Sequence, residues 1–196
     1  MSDLYNRLEE IQEMTRTLIE DVECLLPNLG SRSITDTVTT EEEANRRFYV
    51  RAIFSLVETV VEQHKRLLLE LHEHNFIKLH EGVYEVLSER VYIAKDNGKI
   101  LSKEQYLKLQ RKIRTVYRVA SESFKERLNI NFGDSGWELF QDALKIRDRI
   151  THPKRYEDCE IDEQILEVVE SGEKWFRNLN NEFVRIARLH RNKFNW

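Results

Sequence analysis

The sequence predicts an all-α protein, an up-and-down bundle of about five helices. Three observations lead there. Only six glycines and two prolines occur in 196 residues, too few for the tight turns of a strand-rich fold. Apolar residues recur at three- and four-residue spacing over long stretches. Several of these stretches open on a Ser, Thr or Asp followed three residues later by Glu or Gln, or by an apolar staple. A chain of this length reads as a single helical domain, residues 1–196, with a substantial core.

The first helix is expected from Ser2 or Asp3 to Leu26, with Leu4, Leu8, Ile11, Met14, Leu18, Val22 and Leu25 on one face and Pro27 beyond its end. Residues 27–40 (PNLGSRSITDTVTT) are polar and turn-rich and read as a mobile linker to a core of residues 41–196. Thr40 followed by Glu41, Glu42 and Glu43 reads as a capping box, its acids facing the positive helix end. The second helix, Glu41 to Asn75, has apolar residues around roughly 200° of its surface, too wide for packing on one side only. Its narrow polar strip holds Arg51, Ser55, Glu58 and Glu62.

Between Glu81 and Leu101 the pattern weakens. A short helix is read through Val83, Leu87 and Val91, and Asp96-Asn97-Gly98 is a turn signal that fits a small hairpin near 91–101. Ser102-x-x-Gln105 reads as a capping box opening a helix to about Leu128. Ser135 to Glu138 is read as the cap of the next helix, which Pro153 ends. Asp162 caps the last helix, with Ile161 and Leu166 at staple positions, and that helix runs to about Phe194.

Composition narrows function by exclusion. A formal net charge of −4 argues against a general nucleic-acid coat protein but leaves room for a local basic cleft. Cys24 and Cys159 form neither a metal-type spacing nor a disulfide framework, so a reducing cytoplasm is the expected compartment. The first residues lack the features of a secretory signal, and no stretch approaches the roughly 18 apolar residues of a membrane span. His72-x-His74 places its imidazoles on different helix faces, and with His80 and no cysteine nearby no metal or other cofactor is expected. No phosphate loop, zinc signature or nucleophile elbow occurs.

The chemistry-bearing feature is Arg147. Wound at about 100° per residue, Leu139, Phe140, Ala143, Leu144, Ile146 and Ile150 form one arc of the helix, and Arg147 falls near its middle. A cation on an apolar face needs either an internal carboxylate or a bound anion. His152 lies five residues on, before Pro153, where its backbone is biased out of the helix. Arginine offers phosphate oxygens a permanently charged fork, and histidine moves protons near neutral pH. Together these suit metal-free cleavage of an RNA phosphodiester.

The segment Arg147-Asp148-Arg149-Ile150-Thr151-His152 resembles the Arg-x4-6-His motif of the HEPN superfamily. GWELFQDALKIRDRITHPK and RRFYVRAIFSLVE resemble segments of mostly uncharacterised bacterial members, so the likeness spans roughly Glu41 to Phe176. The resemblance implies a homodimer with two Arg–His pairs in one cleft, and an endoribonuclease of toxin–antitoxin or phage-defence type. Arg147 would clamp phosphate, His152 would act as acid or base, and Asp148 would orient one of them. Thr151, Glu58 and Arg51 would support the pair. Other members only bind nucleotides, so a non-enzymatic module binding nucleotide, RNA or a protein partner such as an antitoxin is the alternative. Some toxin members carry a tyrosine two residues after the histidine; here that position is Lys154.

Plainer readings stand beside these. Arg147 would pair with Glu58 or Glu62 and hold the helices in register, and His152 would cap a helix end. His64 reads as a satisfied core histidine, Trp137 and Trp175 as core or dimer-contact aromatics. Arg177, Arg185, Arg188, Arg191 and Lys193 read as a solvated helix end.

Overall fold

A computed structural model describes residues 2–30 and 39–194. These residues form helices α1 (Ser2–Leu25), α2 (Thr40–Glu73), α3 (Val83–Leu87), α4 (Leu109–Phe124), α5 (Ser135–Thr151) and α6 (Glu163–Phe194). Strands β1 (Arg90–Ala94) and β2 (Ile100–Glu104) pair antiparallel, and short 3-10 turns cover Leu26–Asn28 and Tyr156–Cys159. The protein is therefore mostly helical, with one small hairpin. Residues 31–38, most of the expected linker, lie outside the described residues.

Local chemistry explains most element ends. The capping box of α2 sits one residue earlier than the sequence pattern placed it. Thr39 Oγ1 accepts from Glu42 N at 3.2 Å, and Glu42 Oε2 accepts from Thr39 N at 2.7 Å. The helix stops at Asn75, whose φ of 63° lets Phe76 N reach back to Leu71 O at 2.9 Å. Asp134, not Ser135, caps α5 by accepting from Trp137 N at 2.9 Å. Asp162 caps α6 through Ile165 N at 2.8 Å, with Ile161 and Leu166 both buried beside it.

Two sequence expectations fail in the segment between α3 and α4. The short helix ends at Leu87, and Val91 belongs to β1. Ser102 and Gln105 do not open a helix, because residues 100–104 are β2 and α4 begins only at Leu109. Cross-strand pairing of Ser102 with Tyr92 and of Leu101 with Ile93 wins over a local capping pattern. The turn is a three-residue loop in which Gly98 N donates to Lys95 O at 2.8 Å. Gly98 then takes φ 76°, the left-handed conformation this loop requires.

The chain divides into two compact units. The first comprises residues 1–11, 61–129 and 182–196. Its core includes Leu67, Leu68, Leu71, Ile113, Val116, Tyr117, Phe124, Phe183 and Ile186. His64 is buried there, stacked on Phe183 with ring centroids 3.6 Å apart and its Nδ1 3.0 Å from the Tyr117 hydroxyl. Its Nε2 has no hydrogen-bond partner among the described residues, so the core histidine is only half satisfied. Burial pushes His64 down to about 3 and His190 down to about 4, so both are neutral in the folded chain near neutrality.

The base of the hairpin is fixed by a charge cluster in the same unit. Glu89 and Lys65 are both buried, 3.1 Å apart, and Lys112 lies 2.9 Å from Glu89 and 3.4 Å from Glu62. Glu89 Oε1 also accepts from Leu107 N at 3.0 Å, and its backbone carbonyl accepts from Gln105 N at 2.8 Å. Burial alone would raise the Glu89 carboxyl. The donors Lys112, Leu107 and Lys65 instead hold it below the usual carboxylate value.

The second unit comprises residues 12–60 and 130–181. Its core is aromatic: Trp137 stacks on Phe140 at 5.6 Å, and Trp175 lies 5.1 Å from Trp137 and 5.4 Å from Phe140. At Gly172, α6 closes on α5 so tightly that an added Cβ would sit 3.0 Å from Phe140 Cα and 3.2 Å from Leu139 O. That packing sets the position of α5, which carries Arg147.

Candidate functional site

Helix α2 presents Arg51, Ser55 and Glu58 on one exposed strip, because positions four and three apart share a helix face. Phe54 projects inward beside that strip and is buried. The C-terminal half of α5 meets this surface. Arg147 is partly buried, its side chain 26% exposed, and its guanidinium carbon lies 6.0 Å from the Phe54 ring centroid. Nη2 donates to Glu58 Oε1, and Nη1 donates to Asp148 Oδ1 at 2.9 Å. Phe54 accounts for how a cation is accommodated on an apolar arc: the guanidinium lies over the ring while its nitrogens reach carboxylates.

Arg51 and Thr151 do different work from Asp148 and Glu58. Arg51 Nη2 donates to Ile150 O at 2.9 Å, placing a positive charge at the negative end of α5. Thr151 Oγ1 donates to Arg147 O at 2.7 Å, a back-bond within the helix, and does not touch the guanidinium. His152 closes the helix, with φ −128° and its amide donating to Asp148 O at 3.1 Å. The imidazole is exposed, and no hydrogen bond joins it to Arg147 or Asp148. The structure thus brings together Arg147, Glu58 and Asp148, seats Arg51 on the neighbouring helix end, and leaves His152 facing solvent.

The loop after His152 is held by groups the sequence pattern did not single out. Arg46, buried on α2, donates to Ile161 O at 3.0 Å and to Leu29 O at 2.8 Å. Arg47 donates to Cys159 O at 3.3 Å, and Arg149 to Glu160 O at 3.0 Å. Asp158 Oδ2 accepts from Lys154 N at 2.8 Å and Arg155 N at 3.0 Å, and these two amides hold its carboxyl below the usual value. The only sequence signals were an arginine pair one turn before Arg51 and an aspartate in a polar loop. Neither reveals that four arginines converge on carbonyls of this half of the chain.

The remaining sequence candidates are placed as follows. Trp137 and Trp175 are core residues. Arg177 pairs with Glu173 and Glu23, Arg185 with Glu182, and Arg191 with Glu9, so these basic residues of α6 are ion-paired and not simply solvated. Among the described residues no cluster of His, Cys, Asp or Glu could hold a metal ion, and no helix is long and apolar enough to cross a membrane.

Compared with known proteins, the chain matches no family model, no curated protein and no solved structure.

Chemically, the arrangement is a phosphate-sized fork with spare capacity. A guanidinium carries five N–H donors. Two of those on Arg147 are engaged, and both acceptors are exposed carboxylates, 45% for Glu58 and 60% for Asp148. Partly exposed pairs of this kind contribute about 0–1 kcal/mol. An incoming phosphate can therefore replace Glu58 on Arg147 at small cost.

Proposed function

We propose that the C-terminal end of α5 is the RNA-cleaving site of a metal-independent endoribonuclease with a HEPN-like helical bundle, acting as a homodimer. The observation that carries this reading is Arg147: a half-buried guanidinium held over Phe54 by exchangeable carboxylates, five residues before an exposed histidine. In the reaction, the 2′-oxygen attacks phosphorus as its proton is removed, the bond to the 5′-oxygen breaks, and that oxygen takes a proton. The products are a 2′,3′-cyclic phosphate and a 5′-hydroxyl. His152 is the proton carrier, and Arg147 neutralises the phosphorane oxygens. Asp148 orients the guanidinium. The exposed imidazole fits a cleft completed by a second subunit, which would also exclude water from it.

The test is incubation of RNA with the protein in excess chelator. Cleavage with cyclic-phosphate ends is expected, and Arg147→Ala or His152→Ala each reduces it by about 10²–10⁴-fold. Full activity in both variants rejects the site.

A second reading rests on the Arg147–Glu58 pair itself, which ties α5 to α2 within one unit. Under it the residues are a brace in a non-enzymatic module binding nucleotide, RNA or a protein partner. Binding without cleavage, with Arg147→Ala unfolding more readily, favours that reading.

A further inference from the structure

The hairpin of β1 and β2 is a solvent-exposed arm that adjoins α3 near its base. A two-stranded ribbon is marginal on its own and needs an anchor. Here the anchor is at its base, where Glu89 gathers Lys65, Lys112 and Leu107 N. Beyond that clamp every residue from Tyr92 to Tyr106 is exposed. Tyr92 is 56% exposed and Tyr106 76%, with Ile93, Ile100 and Leu101 also open. Arg90 faces Glu104 across the strands, Glu104 accepts from the Tyr106 hydroxyl at 2.5 Å, and Asp96 lies in the turn. Lys95 and Lys99 flank the turn, Lys103 lies opposite Val91, and among the described residues none of the three has a carboxylate partner. In a chain of net charge −4, residues 90–106 carry four basic against two acidic side chains, with Lys103 on the Val91 face of the ribbon and Tyr92 on the opposite face.

We infer that this arm binds single-stranded RNA wrapped across both faces of the ribbon, its lysines on phosphates and Tyr92 and Tyr106 stacking on bases. The charge decides between occupants. A free strand edge also attracts another strand, including the hairpin of a second copy, but edge lysines oppose that pairing. Two copies would bring six unpaired ammonium groups together. A polyanion relieves all of them and releases counterions, and tyrosine rings accept any base on their faces. Ile100, on the Tyr92 face of the ribbon, extends the platform on which bases lie. This role goes beyond the cleavage reading and stands without it, since binding is measured apart from turnover.

The experiment is fluorescence anisotropy of a labelled oligouridylate of about 15 nucleotides, enough to span one such site. It is read in the intact protein and in the Arg147→Ala background, so that loss of cleavage and loss of binding are separable. Replacing Lys95, Lys99 and Lys103 together by Gln is expected to weaken binding at least tenfold and to reduce the log–log salt slope by about 2. Tyr92→Ala is expected to weaken it about fivefold or more, whereas Tyr92→Phe keeps the affinity. Circular dichroism checks that each exposed substitution leaves the helices intact. Unchanged affinity in the lysine variant, or no binding by the intact protein at low salt, overturns the inference. So does a change of oligomeric state in sedimentation when the lysines are replaced, which would give the arm to a second copy.

Discussion

Arg147 is where residue-scale energetics and function separate. Its pair with Glu58 crosses from α5 to α2, yet both side chains are partly solvated. Arg147→Ala should therefore lower unfolding stability by only about 1 kcal/mol, read from the urea midpoint, while removing the proposed RNA cleavage. A loss of 3 kcal/mol or more would make the residue a structural brace. The pairing itself was legible in the sequence. Glu58 lies on the polar strip of α2, and a cation on the apolar arc of α5 needs a carboxylate nearby. His152 was not legible, because its position depends on a loop hung from Arg46, Arg47 and Arg149 by carbonyls far away in sequence.

Among the elements, caps and turns were written locally and pairings were not. Asp162, Pro153 and Asp96-Asn97-Gly98 mark boundaries through the backbone of their own neighbours, so a pattern of a few residues suffices. Ser102-x-x-Gln105 carries the same letters as a capping box but sits in a strand. Its partner Tyr92 is ten residues away, and no local pattern records that partner. Lys65 and Glu89 were equally hidden, since charged residues are assigned to solvent until a tertiary contact pairs them. Glu89→Gln should test how much the clamp matters. It leaves Lys65 and Lys112 with Glu62 as their remaining carboxylate, at a cost of about 1–3 kcal/mol. Hydrogen exchange of residues 90–104 should accelerate along with the drop in denaturation midpoint. An unaltered exchange rate would show that the strands hold themselves.

For the whole molecule, the two units should respond differently to acid. His64 and His190 lie in the first unit, with folded values of about 3 and about 4. Unfolded histidines titrate near 6.5. Between those values the unfolded chain takes up protons that the folded chain refuses, so stability falls as pH drops from about 6.5 toward 3. The carboxylates held low by lysines and arginines, Glu62 and Glu89 among them, add a further loss below about 4.5. Trp137 and Trp175 both lie in the second unit. In a Trp196→Phe variant, in which only these two tryptophans remain, lowering the pH from 7 to 5 should raise amide exchange in the first unit before tryptophan fluorescence changes. Simultaneous change of the two signals would show that the units melt as one.

Gly172 offers a way to jam the machinery from behind. Any β-carbon there would press on the backbone of α5 at Phe140, about two turns before Arg147, without altering a single charged group. Gly172→Val should thus give a protein that still grips RNA through its arm but cuts poorly, and more poorly still on warming: an impaired twin whose defect is one of aim.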